Sequence, residues 1–272
     1  MKAARLSIGL FALGICACAS SPDVLTYDQF KSQAVYDAEA DVYVINGDEL
    51  VEDEAQMQDM YQRYLDSVAD AQARADGTGT YEESLIVNLV NGRDDKWSSS
   101  QANNVTYCVS QSSFGSHYSA VVTAMANAAA AWHATSNTTL VHVASQDGNC
   151  NRHNNNVVFD VVQTQQSSFL ARSFFPSSSR RAREILISFT SFGNISPWTL
   201  TGILRHEQGH ILGFRHEHTR PESGTCFEDN NWRALTAYDS SSVMHYPQCN
   251  GTQTGDLVLT SLDKAGARSL YP

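Results

Sequence analysis

The segment HEQGHILGFRHEHTRPE, residues 206–222, constrains the fold more than any other part of the chain, because it holds four of the nine histidines. A helix is predicted over its first half, since apolar residues recur at helical spacing and Gly213 can stop the run. Pro197 lies just before this helix, and Ser196 is the predicted N-cap. The apolar positions are Leu200, Ile203, Leu204, Ile211 and Leu212.

Three of these histidines have the spacing of a metal site. His206 and His210, at i and i+4, lie on one face of the predicted helix, and Glu207 can reach a water on a metal held there. Gly213 accepts a positive φ, so the chain can turn and bring in His216. Three neutral imidazoles leave a fourth position open, as in catalytic Zn²⁺ sites. The alternative, a solvated histidine-rich helix end, is disfavoured by the full H-E-x-x-H-x-x-G-x-x-H pattern.

Residues 1–18 have the pattern of a secretory signal peptide. Lys2 and Arg5 precede an apolar run over 6–19, which is short for a membrane span. The cut falls either after Ala19 or, in a setting similar to a lipobox, before a lipidated Cys18. We therefore expect an exported bacterial protein, secreted or lipid-anchored at the cell envelope, with no membrane contact except through Cys18. Fatty-acid labelling that a Cys18→Ser substitution abolishes would identify the lipidated form.

Four cysteines remain after the leader, and an even number in an exported chain predicts two disulfides. The sequence allows three pairings, of which we favour the near neighbours, Cys108–Cys150 and Cys226–Cys249. A cysteine-ligated zinc is the weaker alternative, because no C-x-x-C spacing is present.

The net charge of −11 is concentrated near the N-terminus. Residues 1–95 hold 18 acidic and 6 basic side chains, whereas the remainder holds 11 and 12. No basic field indicates a nucleic-acid partner. The segment 75–80, ADGTGT, has the composition of a linker. We therefore divide the chain into a signal peptide (1–18), an acidic propeptide (19–95) and a catalytic domain (96–272).

The order of the predicted elements in the catalytic domain indicates the fold class. A strand over 103–110, a long helix over 116–135, three further strands and the histidine-bearing helix predict an α/β (α+β) domain. We expect a twisted mixed sheet with two long helices packed on it, a zinc cleft, and a loop-rich C-terminal subdomain. The last element is a short helix capped near Thr260 or Ser261. The predicted core face of the long helix is Val121, Ala124, Met125, Ala128 and Trp132.

The two motifs HEQGHILGFRHEHTRPE and SSVMHYP (241–247) together resemble the astacin branch of the metzincin metallopeptidases. Glu217, after the third histidine, is the residue that marks astacins. SVMHY resembles the Met-turn, with Met244 beneath the metal and Tyr246 beside it. The similarity covers roughly residues 97–272. PESGTCFED at 221–229 replaces the Asp-Arg-Asp run usual in astacins, so a neighbouring bacterial metzincin family is the alternative.

This resemblance implies a zinc endopeptidase in which Glu207 is the general base, taking a proton from the metal-activated water and passing it to the leaving amine. Tyr246 would ligate zinc at rest and then stabilise the oxyanion; the alternative role is a packed aromatic. The implied zinc ligands are His206, His210 and His216. The motif residues expected to pack or support the site, without ligating or catalysing, are Met244, Glu217, His218 and His245.

The acidic segment suggests a latent zymogen. VYVINGDEL at 42–50 resembles the Gly-Asp motif of astacin propeptides, so Asp48 is expected to ligate zinc in place of water; an ordinary turn is the alternative. Cleavage between about Gly77 and Trp97 would then activate the enzyme. We thus predict an exported, monomeric zinc endopeptidase that acts on proteins or peptides. The alternatives are an exported zinc-binding protein or adhesin with an unused protease site, and a metal-dependent hydrolase of a non-protein amide.

Overall fold

The computed structural model describes residues 24–38, 40–75 and 85–272. The predicted signal peptide, Cys18 and most of the predicted linker lie outside these residues. Among the described residues, no helix has both the length and the apolar character that crossing a bilayer requires.

The residues described between 24 and 75, here called the N-terminal segment, form a small folded unit. An antiparallel three-stranded sheet packs with a short and a long helix around Phe30, Ile45, Val51 and Met57. The sequence patterns indicated no strand here, because each of the three strands has only three or four residues. In chain order the elements are α1 (Tyr27–Lys31), β1 (Val35–Asp37), β2 (Val42–Ile45), β3 (Glu49–Val51) and α2 (Glu54–Ala75).

The residues that follow from Leu85 are built into the body of the catalytic unit. Strand β4 (Ile86–Val90) pairs with β5 (Arg93–Asp94) and with a later strand, Trp232–Ala234. Leu85 and Val87 lie in the main hydrophobic core. The Ile86 carbonyl also accepts a hydrogen bond from the Arg215 amide at 3.0 Å. This part of the chain therefore packs with the histidine motif.

A five-stranded sheet forms the centre of the molecule, as the predicted mixed sheet required. Its strand order is β7-β6-β8-β10-β9, with β9 alone antiparallel to its neighbour. Helix α3 (Ser99–Ala102) precedes this sheet. The strands are β6 (Val105–Val109), β7 (Leu140–His142), β8 (Phe159–Thr164), β9 (Ala171–Arg172) and β10 (Glu184–Ser188).

Two long helices pack together beside this sheet and complete the predicted α/β arrangement. After α4 (Gln111–Phe114), α5 (Tyr118–His133) buries all five residues predicted for its core face. The Trp132 indole of α5 donates to the Arg205 carbonyl of α6 (Leu200–Ile211) at 3.0 Å. This hydrogen bond ties the core helix to the helix that carries the first two motif histidines.

The C-terminal part is rich in loops, as expected, and holds β11 (Trp232–Ala234) and the terminal helix α7 (Ser261–Leu270). Thr260 caps α7 in a capping box with Asp263, which confirms the predicted start. The Asp263 carboxylate also accepts hydrogen bonds from the Ser242 hydroxyl at 2.5 Å and the Val243 amide at 2.9 Å. The terminal helix thereby holds the chain just before Met244.

Both disulfides join the pairs favoured from the sequence, Cys108–Cys150 and Cys226–Cys249. The first connects β6 to the chain before β8. The second closes the loop between the third motif histidine and the segment after Met244. That loop carries an acidic residue, Glu228, which contacts the site described below.

Candidate metal centre

Helix α6 presents the first two histidines on a buried face. The predicted N-cap, Ser196, is wrong: Thr199 caps the helix, its hydroxyl accepting from the Gly202 amide at 3.0 Å. The Trp198 amide instead bonds back to the Ile195 carbonyl, so the chain is still in a turn at Ser196. Ile203, Leu204 and Ile211 hold the helix in the core. His206 and His210 are 4% and 2% exposed.

Gly213 turns the chain so that His216 reaches the first two histidines. Its φ is +96°, a conformation that favours glycine. A Cβ at this position would lie 2.1 Å from the Asp95 carbonyl oxygen. The sequence prediction of a glycine turn is therefore confirmed. The close approach of the Asp95 carbonyl is a second reason why residue 213 is a glycine. The sequence motif did not predict this contact.

We expect Gly213→Ala to lower the free energy of unfolding by more than about 2 kcal/mol, since a left-handed alanine costs about 1–2 kcal/mol and the Asp95 carbonyl must also move. Gly224→Ala is the matched control, because Gly224 has a φ of +72° with open space around its Cβ position. Urea denaturation measures both. Equal losses in the two variants would contradict the proposed contact at Gly213.

The Nδ1 atom of each motif histidine is engaged by an oxygen atom. His206 Nδ1 lies 2.7 Å from the Val243 carbonyl, and His210 Nδ1 lies 2.8 Å from the Phe214 carbonyl. His216 Nδ1 lies 2.6 Å from the Glu228 carboxylate. Because these oxygens accept the proton on Nδ1, each ring, when it is neutral, carries its lone pair on Nε2.

Those Nε2 atoms point at one another. His206 Nε2 is 3.3 Å from the Nε2 of His210 and 3.3 Å from that of His216. Burial lowers the pKa of His206 to about 4, which keeps its ring neutral. Converging lone pairs repel each other unless a cation lies between them. The donor set therefore fits a metal ion.

The carboxylate of Asp48, from the N-terminal segment, occupies the fourth side of this cluster. It lies 3.0 Å from His216 Nε2, 3.1 Å from His206 Nε2 and 3.6 Å from His210 Nε2. Asp48 is 3% exposed, and one carboxylate oxygen accepts from the Tyr246 hydroxyl at 2.5 Å. Three nitrogens and one oxygen match the tetrahedral ligand number of zinc in proteins.

Glu207 lines a cavity beside this cluster together with Asp48, His206 and Tyr246. It is 2% exposed, and its Oε2 atom has no hydrogen-bond partner among the described residues. Burial, and then the neighbouring Asp48 carboxylate, raise the pKa of Glu207 well above its usual range. A cation bound by the histidines acts in the opposite direction. The Glu207 carboxyl group therefore lies next to the position that the histidines would give a metal ion.

Met244 packs beneath the histidine helix. A Cβ at Gly209 would lie 2.3 Å from the Met244 sulfur, so the glycine of the HEQGH sequence admits the thioether. The Tyr246 ring lies beside the histidines, 4.5 Å from the His216 ring centroid. The Glu217 carboxylate is fully buried and accepts from the Asp239 amide at 3.1 Å. The structure therefore places Glu217 behind the site.

Glu228 is a site residue that the sequence reading missed. Besides its contact with His216 Nδ1, its carboxylate lies 3.0 Å from the Arg215 guanidinium and 3.2 Å from His218 Nε2. Burial raises the pKa of Glu228, but the positive charge of His216 in its protonated form outweighs burial and lowers that pKa. The only signal in the sequence was an acidic residue two positions after Cys226. Its approach to His216 depends on loop geometry that residue spacing does not encode.

Three histidines around one point, an adjacent glutamate on their helix, a glycine turn and a methionine beneath them define a metzincin type of metallopeptidase site. The chain belongs to the family described as dual-action HEIGH metallo-peptidases, whose family model matches residues 90–258. Its substrates are accordingly proteins or peptides. This family is distinct from the astacins, so the match confirms a metallopeptidase of the predicted type, and the astacin-like subtype stays a prediction.

Comparison with solved structures finds myroilysin, which is 19% identical with a TM-score of 0.48; the match covers 69% of this chain and 98% of that one. It also finds high choriolytic enzyme 1, a hatching enzyme zinc-protease from the medaka fish Oryzias latipes. That enzyme is 20% identical with a TM-score of 0.36, and the match covers 56% of this chain and 73% of the other. A comparison with curated proteins finds no significant match.

Proposed function

We propose that this metallopeptidase is an exported zinc endopeptidase made as a latent precursor. The observation that carries the proposal is the convergence of three Nε2 atoms with Asp48 on their fourth side and Glu207 beside them. In this proposal His206, His210 and His216 hold Zn²⁺. When bound, zinc lowers the pKa of a water molecule and polarises a carbonyl group.

Glu207 is the proposed general base. It follows a metal ligand directly, faces the cavity and has an uncommitted carboxylate oxygen. In this role it holds the proton released as the water attacks and delivers it to the leaving amine of the substrate.

Tyr246 is the proposed donor to the substrate oxyanion. Its hydroxyl already donates to an anionic oxygen, the Asp48 carboxylate, at the position that a substrate would enter. When Asp48 is absent, the same hydroxyl can donate to a negatively charged carbonyl oxygen that develops there.

Glu228 is proposed to fix the ring of His216. A carboxylate on Nδ1 holds the tautomer whose Nε2 faces the metal and raises the electron density of the ring. The Val243 and Phe214 carbonyls hold the rings of the other two histidines in the same way.

Asp48 is proposed to keep the precursor latent, because a carboxylate in the fourth ligand position excludes the water that the reaction needs. Gly47 supports this placement: it has a φ of +102°, and a Cβ there would lie 3.0 Å from the Tyr246 hydroxyl. A glycine before Asp48 thus lets the backbone pass over Tyr246.

The proposed precursor consists of a signal peptide over 1–18, a propeptide and a catalytic domain. Since Leu85 and β4 pack in the catalytic core, we now propose activating cleavage before Leu85, within 76–84. The export, with or without lipid on Cys18, and the monomeric state remain parts of the proposal that rest on the sequence.

The test uses the full chain with a specific protease site introduced within 76–84. We expect one bound zinc per chain by mass spectrometry, casein cleavage after the cut, loss of cleavage with a chelator, and recovery when zinc is restored. Bound zinc with no cleavage of casein would favour the binding-protein alternative. Release of fragments from peptidoglycan, with casein intact, would favour a hydrolase of another amide.

A further inference from the structure

A cavity of about 260 Å³ opens beside the candidate metal centre, on the side of Glu207. Most of its wall is apolar. Ile203 comes from the first turn of α6, and Leu257 comes from the chain before α7. The apolar lining residues are Phe169, Leu170, Ala171, Trp198, Ile203 and Leu257.

The cavity has few charges. Among the described residues that line it, the carboxyl groups and the imidazole are confined to the cluster itself: Asp48, His206 and Glu207. The other polar groups include two glutamines, Gln248 and Gln253. The Gln253 amide donates to the His245 carbonyl, while its Oε1 atom is buried and has no partner among the described residues. A buried acceptor without a donor is costly, so a bound molecule that supplies an N–H group would stabilise it.

The position of the cavity relative to Glu207 indicates which part of a substrate enters it. Under the proposed mechanism Glu207 delivers a proton to the leaving amine, so the amine must lie next to its carboxylate. The residue that carries this amine is the one that follows the scissile bond. Its side chain is then the group closest to the cavity.

We propose that this cavity selects a large apolar side chain, such as leucine, phenylalanine or methionine, on the residue that follows the scissile bond. The inference rests on the proposed peptidase function and names its substrate class. An acidic side chain is excluded because it would lie against Glu207 in an apolar wall. A substrate with glycine after the scissile bond would have no side chain to contact the apolar wall of the cavity.

The cavity is open while the N-terminal segment is in place, since Gly47 and Asp48 form one of its walls. Binding can therefore be measured on the uncut chain, separately from catalysis. Trp198 in the wall supplies a fluorescence signal that reports on occupation.

The first experiment compares quenched peptides that differ only in the residue after the scissile bond, using the chain cut within 76–84. Leucine and phenylalanine should exceed glycine, aspartate and lysine in kcat/KM by about 10- to 100-fold, the discrimination expected of an apolar pocket. Trp198→Ala should reduce the leucine-to-glycine ratio about tenfold. Phe189→Ala, which removes an exposed aromatic outside the cavity, should leave the ratio unchanged. A flat or acidic preference would overturn the proposal.

The second experiment titrates the uncut chain with the dipeptide amides Leu-Gly and Asp-Gly and follows tryptophan fluorescence. Leu-Gly should bind at least about tenfold more tightly, and Trp198→Ala should remove the signal change. Equal affinities would overturn the cavity proposal even if every peptide were cleaved. If no peptide were cleaved while Leu-Gly still bound selectively, the peptidase proposal would fail and the apolar site would stand.

Discussion

Glu207→Gln, made in the chain cut within 76–84, should lose about 10²- to 10⁴-fold in kcat against casein or a quenched peptide while keeping its zinc. The amide has nearly the same shape as the carboxylate, so the helix and the histidines are retained. It cannot accept the proton from the attacking water. Steady-state kinetics beside a zinc count on the same sample measures the two effects separately.

Glu217→Gln is the matched control for this result. Glu217 is also a buried glutamate of the same motif, but its carboxylate accepts from the Asp239 amide, away from the cavity. Burial raises the pKa of Glu217 to about 8, so an amide is close to its protonated form at neutral pH. Its variant should keep most of the activity. Activity of Glu207→Gln within tenfold of the unmodified chain would refute the role of Glu207.

Asp48→Ala in the uncut chain should raise the basal activity by roughly 10- to 100-fold. The Asp48 carboxylate contacts three imidazoles and accepts a hydrogen bond from the Tyr246 hydroxyl. Hydrogen bonds to a charged group contribute about 1.5–3 kcal/mol each to the stability of such a contact. About 1.4 kcal/mol corresponds to a factor of ten in an equilibrium constant. Removing the carboxylate should therefore open the fourth position in a much larger fraction of molecules.

Asp66→Ala is the control for the possibility that losing any acidic side chain destabilises the N-terminal segment and so raises the activity. Asp66 is exposed on α2, where it accepts only from Gln62 within its own helix among the described contacts. Its variant should keep the low activity of the uncut chain. If Asp48→Ala were as inactive as Asp66→Ala before cleavage and both became active after it, latency would have to come from another contact. A gel of each sample excludes accidental cleavage.

The catalytic fold could be predicted because its elements carry local patterns. The buried face of α5 follows from 3.6-residue periodicity, and the start of α7 follows from the Thr260 capping box. The N-terminal segment could not be predicted in the same way. Its strands are short. No periodic pattern in the sequence predicts that Tyr36 pairs with Tyr43 or that Val44 pairs with Leu50 in antiparallel strands. The Ser196 error is of the same kind, since two nearby residues were both able to cap α6.

The cluster of three histidines could also be predicted from local patterns in the sequence. His206 and His210 are brought together by helical spacing alone, and Gly213 limits where His216 can go. Asp48 was found only through resemblance, because it lies far from the histidines in the chain. Glu228 was not found, since its contact with His216 requires the loop closed by Cys226–Cys249. Interactions between distant segments are invisible to spacing rules.

Cleavage of the chain within 76–84 does not by itself release the N-terminal segment, because that segment contacts the catalytic unit through its own side chains. The buried Asp37 carboxylate lies 3.3 Å from the Arg172 guanidinium, Glu49 lies 3.2 Å from that of Arg215, and Val44 packs against β10 through Leu186. A cut within 76–84 breaks none of these contacts. It replaces an effective local concentration of about millimolar by the concentration of protein in solution. Under the latency proposal, activation is then a dissociation equilibrium: at high concentration the cut enzyme would stay inhibited by the bound N-terminal segment, and dilution would release the segment and activate the enzyme.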